Sequence, residues 1–192
     1  MKKITIIDCS KKNDNDINKI VDFLGDNLKS QDIMFDKVKL KDLRIVKCTQ
    51  CRCCTQKKGE APIKCVLSDE MNYVLDEIES ADSYIIISDT ANILNNNEIY
   101  DKFSKRLIAY YYWPYGHKES IPRKVELCKK SVLINYNTSK VLKNASFNVS
   151  KEKMTNSSTA IGAEVIDSIM IKPSSNLIEK YNEELTNLIS KL

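Results

Sequence analysis

Cys48, Cys51 and Cys54 recur with two residues between each pair, and Cys65 follows after a gap of ten. Cys53 falls outside that phase. Thiolates are soft donors, so a loop that turns several of them to one side suits zinc or an iron–sulfur cluster. The same residues also suit unligated thiols that pack as small hydrophobes or stay free. The spacing puts every third side chain on one side of a loop. The expectation is therefore that the sulfurs of Cys48, Cys51, Cys54 and Cys65 converge while Cys53 points elsewhere. His117 is the only histidine, and it sits in an aromatic run, Tyr110 to Tyr115, closed by Pro114 and Gly116. A surface or packing role suits it better than proton transfer. The chain carries no serine–histidine–acid constellation, zinc-protease motif or Walker loop.

These residues must be positioned by the surrounding elements. Ser68 or Asp69 can cap a helix whose apolar stripe is Met71, Val74, Leu75 and Ile78. The cysteine loop therefore lies between an extended segment and a helix. Apolar runs suited to buried strands occur near residues 3–8, 33–40, 83–88, 131–136 and 165–171. Ile17, Ile20, Val21, Leu24 and Leu28 form one helical face, weakened by Gly25. Further helices are expected over Ile99 to Tyr110, over Lys151 to Ala163, and from an Asn176 cap through Leu177, Tyr181, Leu185 and Leu188. Asp89 to Asn97 reads as a polar loop, and Val141 to Val149 has no clear periodicity. Strands buried on both faces and alternating with helices define an α/β, three-layer architecture around a five-stranded parallel sheet.

The 192 residues suit a single domain, 1–192, with a cysteine-rich loop at 48–65. A net charge of +4, spread along the chain, gives no basic stripe for nucleic acid and no membrane-binding patch. No apolar run has the length of a membrane span. Met1-Lys2-Lys3-Ile4 leads straight into a strand, with no signal-peptide core. Seven cysteines, an odd number, without secretory features point to a reducing, cytoplasmic setting.

The pattern C-x2-C-x2-C followed by Cys65-Val66, Asp69-Glu70-Met71 resembles the NADPH-dependent FMN reductase family, and within it the iron–sulfur flavoproteins. The resemblance covers about the first 110 residues. It implies the flavodoxin-like strand order 2-1-3-4-5, FMN as cofactor, and a [4Fe–4S] cluster on Cys48, Cys51, Cys54 and Cys65. It also implies an electron donor such as NAD(P)H or a ferredoxin, and a homodimer or higher homo-oligomer, for which Tyr110 to Trp113 offers aromatic surface.

In that family the first strand-end loop binds the FMN phosphate. Here it supplies Ser10, Lys11, Lys12 and Asn15, with Cys9 where the family has glycine and Ile17 where it has a hydroxyl. Asp14 and Asp16 oppose a phosphate there. A plain helix-capping loop fits the same residues. The second loop, which holds the isoalloxazine ring in the family, offers Ser88, Thr90 and Asn92 but lacks the family's proline and aromatic residue. Phe103 and Arg106 match a family helix and read as structural. The third loop offers Asn137 and Thr138 without the family's glycines.

Two functions follow. One is an FMN-dependent oxidoreductase or electron-transfer flavoprotein with a cluster beside the flavin. The other is a diverged flavodoxin-fold protein that has lost flavin and uses its cysteine loop for metal binding or thiol redox sensing.

Overall fold

The computed structural model describes residues 2–11, 15–95, 98–138 and 143–192. In chain order the elements are β1 (Lys3–Asp8), α1 (Asn15–Ser30), β2 (Met34–Lys39), α2 (Cys53–Gln56), α3 (Met71–Ser80) and β3 (Ser83–Asp89). Then come α4 (Thr90–Leu94), α5 (Ile99–Arg106), β4 (Tyr111–Tyr112), β5 (Ile121–Pro122), β6 (Lys129–Tyr136), α6 (Lys143–Ala160), β7 (Ala163–Ile171) and α7 (Leu177–Lys191).

Five strands form one sheet in the order β2-β1-β3-β6-β7. Every pairing in it is parallel. Counted within that sheet alone, the order is 2-1-3-4-5, because β4 and β5 pair separately as a short antiparallel ribbon. The inner strands β1, β3 and β6 are nearly continuous apolar runs because both faces are covered, while the edge strands β2 and β7 carry polar, partly exposed residues. Along β3, Tyr84 and Ile86 point into one core while Ile85 and Ile87 point into the other, the period of two that a pleated strand imposes. One face packs on α3, α5 and α6 through Val74, Ile78, Phe103 and Met154. The opposite face packs on α1 and α7 through Ile20, Leu24, Leu185 and Leu188. No helix among the described residues is long and apolar enough to cross a membrane.

Several local expectations are corrected. Residues after β3 form a helical turn, α4, because the Asp89 carboxylate accepts from the Asn92 N–H at 2.8 Å and caps it. The helix expected to run to Tyr110 is α-helical only to Arg106 and tightens to a 3-10 turn over Leu107–Tyr110. α6 starts at Lys143, before the expected Lys151, and ends at Ala160, two residues before Gly162, whose φ of 80° breaks the helical path. Neither Ser68 nor Asp69 is the cap residue of α3. That position is Glu70, and it makes no side-chain cap bond. Asn176 precedes α7 without a side-chain cap bond. Gly25 has a packing reason as well as a propensity cost, since a Cβ there would meet the Phe35 ring at 3.0 Å.

Candidate functional site

In an open parallel sheet, ligands bind beyond the carboxyl ends of the strands where the strand order reverses, here between β1 and β3. Ser10, Lys11, Ser88, Thr90, Asn92 and Asn137 all sit at that end, so the topology gathers the expected loops. It does not turn their side chains outward. Ser10 is fully buried, and both its N–H and its hydroxyl donate to Asp8 Oδ1, at 2.9 and 2.5 Å. The Lys11 N–H donates to Asp89 Oδ2 at 3.1 Å, and Lys11 Nζ pairs with Glu98 at 2.6 Å. Ser88 Oγ donates to the Cys9 carbonyl at 3.2 Å. Asn92 Nδ2 donates to the same carbonyl and to Ser88 Oγ. Thr90 Oγ1 donates to Asn135 Oδ1 at 2.6 Å. Asn137 is buried, with its N–H on the Ile171 carbonyl at 2.8 Å. Asn15 and Thr138 are exposed, and Lys12 lies outside the described residues, as does Asp14.

The hydroxyls and amides thus tie the strand ends to one another. The acidic groups that meet the first loop are Asp8, at the end of β1, and Asp89, at the end of β3; neither was among the expected site residues, because their contacts arise only when the two strand ends are aligned. Asp16 instead accepts from the Tyr136 hydroxyl at 2.7 Å. Burial raises the Cys9 thiol well above its usual range, and the charges of Asp8 and Asp89 add to that. FMN, the cofactor implied by the resemblance, needs free N–H donors here. Among the described residues, the Ser10 and Lys11 N–H groups already serve carboxylates. At the Lys11 N–H a phosphate would compete with the Asp89 carboxylate.

The cysteine loop is anchored from below by a buried ion pair. Arg106 and Asp69 form a bidentate contact at 2.6 and 3.0 Å, with side chains 1% and 0% exposed. Asp69 also accepts from the Val46 and Met71 N–H groups, and Arg106 donates to the Val46 carbonyl. Burial alone would raise the Asp69 carboxyl; the bonds from Arg106, Val46 and Met71 outweigh it and hold the group below the usual range. The Asp69 and Arg106 positions that carried the resemblance therefore join the entry of the loop to α3 and α5. Asn72 clamps the far end, accepting from the Cys65 N–H at 3.0 Å and donating to its carbonyl at 3.1 Å.

The aromatic run packs on this loop within the same chain. The Arg52 guanidinium stacks 4.4 Å from the Trp113 ring and 5.0 Å from that of Tyr115, and donates to the Trp113 carbonyl at 2.7 Å. Arg123 ties the Cys54, Lys57 and Gly59 carbonyls together. Tyr110 is fully buried, so it contributes nothing to an outer aromatic surface. His117 serves through its backbone, its carbonyl accepting from Trp113 Nε1 at 2.9 Å. A cavity of about 530 Å³ lies between the two loops, lined by Cys48, Arg52, Thr55, Ile108, Tyr111 and Trp113 among others.

All seven cysteines are free, with Cys54 buried and Cys51 and Cys53 exposed. Among the described residues no group of three or more His, Cys, Asp or Glu side chains is arranged to hold a metal ion. Burial pushes the Cys54 thiol up to about 11, and the charges of Cys65, Cys48 and Cys51 add to the effect. Cys53 does not point elsewhere. Its thiol faces the Cys51 carbonyl at 3.9 Å. Hydrogen bonding from Cys53 and Thr49 lowers the Cys51 thiol. The same contact with Cys51, and the charge of Cys51, raise that of Cys53.

No family model matches the sequence, and no curated protein is significantly similar to it. Solved structures do match. An FMN-dependent NADH-azoreductase from Bacillus anthracis, in complex with FMN, superposes with a TM-score of 0.68 at 13% identity, covering 99% of each chain. An NAD(P)H:quinone oxidoreductase from Methanothermobacter marburgensis gives 0.66 at 9% identity, over 97% of this chain and 95% of its own. A proposed quinone reductase from Klebsiella pneumoniae gives 0.70 at 10% identity, over 100% of this chain and 85% of its own. At such identities the likeness establishes the flavodoxin-like α/β fold and nothing finer.

Proposed function

We propose that this protein is a flavin-dependent oxidoreductase that takes electrons from NAD(P)H and passes them to a small acceptor of the quinone or azo type. The observation that carries the reading is the sheet order, with its reversal between β1 and β3, in a fold shared over nearly the whole chain with reductases of that kind. FMN supplies the two-electron chemistry when bound. Lys11, Asn15 and Thr138 form the rim it would meet. Ser10, Ser88, Thr90, Asn92 and Asn137 form the rigid floor beneath. Asp8 and Asp89 oppose the phosphate and make the affinity lower than a glycine-rich loop would give. The likeness to an NADH-azoreductase and an NAD(P)H:quinone oxidoreductase favours a nicotinamide donor over a ferredoxin. A [4Fe–4S] cluster on Cys48, Cys51, Cys54 and Cys65 is not part of this reading, since no finding supports it. A homodimer or higher oligomer in a reducing, cytoplasmic setting completes the proposal, and sedimentation at micromolar concentration tests the assembly.

The central test is a fluorescence titration of the purified protein with FMN, followed by NADH and NADPH oxidation in the presence of benzoquinone. Saturable quenching and acceptor-dependent turnover are expected. No quenching at any soluble FMN concentration would overturn the proposal in favour of a diverged protein without flavin.

A further inference from the structure

The cavity of about 530 Å³ between the cysteine loop and the aromatic run shares none of its lining with the strand ends. Its volume falls in the range of about 300–1,000 Å³ typical of small-molecule sites. Trp113, Tyr111 and Ile108 give it planar and apolar walls. The Trp113 ring is fixed, since Nε1 donates to the His117 carbonyl at 2.9 Å and the backbone N–H to the Thr55 carbonyl at 2.9 Å. Among the described residues the lining carries two cations, Arg52 and Lys105, and no carboxylate. The two cations differ. Lys105 Nζ is paired with Asp101 at 2.8 Å. Arg52 has no acidic partner among the described residues. Its guanidinium carbon lies 4.4 Å from the centre of the Trp113 ring and 5.0 Å from that of Tyr115, and Nη2 donates to the Trp113 carbonyl at 2.7 Å. Those contacts hold the guanidinium in place, yet its buried Nε has no hydrogen-bond partner. Buried donors are nearly always paired, so an open one calls for a reason. Arg52 also stands at φ 62°, and backbone strain of this kind gathers at ligand clamps.

We infer that this cavity is a binding site for a planar aromatic molecule that carries one carboxylate. The rings lie against Trp113, Tyr111 and Ile108, where burial of apolar surface drives entry. The carboxylate takes the Arg52 donors that the protein leaves open. A guanidinium already held by its stack loses little freedom when it binds an anion. A neutral aromatic leaves Arg52 Nε unpartnered, and a cationic one is repelled by it. A phosphate dianion fits less well, because Asp101 neutralises Lys105 and leaves one uncompensated cation in the lining. The site needs no flavin at the strand ends.

Naphthoate is a suitable probe, with naphthamide as its neutral isostere and naphthylmethylamine as its cationic counterpart. Each is titrated into the reduced, flavin-free full chain by calorimetry. Naphthoate should bind about ten-fold tighter than naphthamide, the gain expected of one charge-assisted contact, and naphthylmethylamine should bind weakest. Trp113 is the only tryptophan in the chain, so its indole N–H gives a single resonance in a nitrogen–proton correlation spectrum. That resonance should shift in step with naphthoate occupancy. Arg52→Gln should bring naphthoate down to the affinity of naphthamide and leave naphthamide binding as it was. Ile108→Trp fills the cavity while leaving Arg52 in place, and should abolish binding of both. Circular dichroism checks that each variant stays folded. Equal affinities of wild type for naphthoate and naphthamide would overturn the inference. So would a Trp113 resonance unmoved at saturation, or binding that survives Ile108→Trp. So would an Arg52→Gln variant that loses both probes alike, since Arg52 would then shape the loop without reading the carboxylate. None of these readouts uses flavin, so the result stands apart from the flavin proposal.

Discussion

Asp69 and Arg106 show what a single pair of side chains decides. Both are buried, and each satisfies several partners, so removing one leaves the other charged and unpaired. Arg106→Met should cost about 3–5 kcal/mol of stability, read as a shift in the urea midpoint. The Asp69 carboxyl lies below its ordinary value in the folded state. Its stabilising contribution is therefore complete above the unfolded value of about 3.9 and is lost as pH falls through the lower folded value. Asp69→Asn should flatten that acid limb and lower stability at neutral pH.

Asp89 matters to ligand binding in a different way. Asn also caps helices well, so Asp89→Asn keeps the α4 turn while removing a charge beside the Lys11 N–H. FMN affinity should rise about five-fold, equivalent to about 1 kcal/mol, in a fluorescence titration. Residue types at the strand ends were legible: Ser10, Ser88, Thr90 and Asn92 all lie at the carboxyl ends of β1 and β3, though Thr90 and Asn92 stand in α4 rather than in a loop. Their orientation was not, because it depends on Asp8, Asp89, Asn135 and the Cys9 carbonyl, which meet only once the strands are aligned.

Among the elements, β1, β3 and β6 were readable because burial on both faces leaves a nearly unbroken apolar run, whereas the edge strands β2 and β7 mix polar and apolar residues. Helix ends were less so. α6 contains Ser157, Ser158 and Thr159, poor helix formers whose propensity is overridden by packing, with Ser157 and Ser158 buried and Ser157 hydrogen-bonded to the Tyr100 hydroxyl of α5. Its exit depends on Gly162. A Cβ there would come within 2.7 Å of Lys124 Cδ, at a φ that L-residues resist. Gly162→Ala should destabilise by about 1–2 kcal/mol, with an unchanged slope against urea. The cysteine loop resisted sequence reading for a related reason. Its shape comes from Arg52 on Trp113 and from Asp69 on Arg106, contacts far apart in the chain, and no local spacing of cysteines encodes them.

In the molecule as a whole, the two faces of the sheet are covered differently. α3, α5 and α6 follow one another along the chain and close one face in sequence. The other face is closed by α1 and α7, which pack side by side although most of the sequence separates them. The order in which a ribosome delivers these parts therefore matters. Ile17, Ile20, Leu24 and Leu28 emerge early and wait without their partner until Leu185 and Leu188 are made. A chain stopped after Pro173 should keep the α3–α5–α6 face but expose that apolar stripe, and should collect in the insoluble fraction where the full chain does not. During synthesis the unfinished sheet carries an open adhesive side for nearly its entire length. A holdase chaperone that covers α1 should raise the yield of soluble protein, whereas speeding the closure of the opposite face should do little.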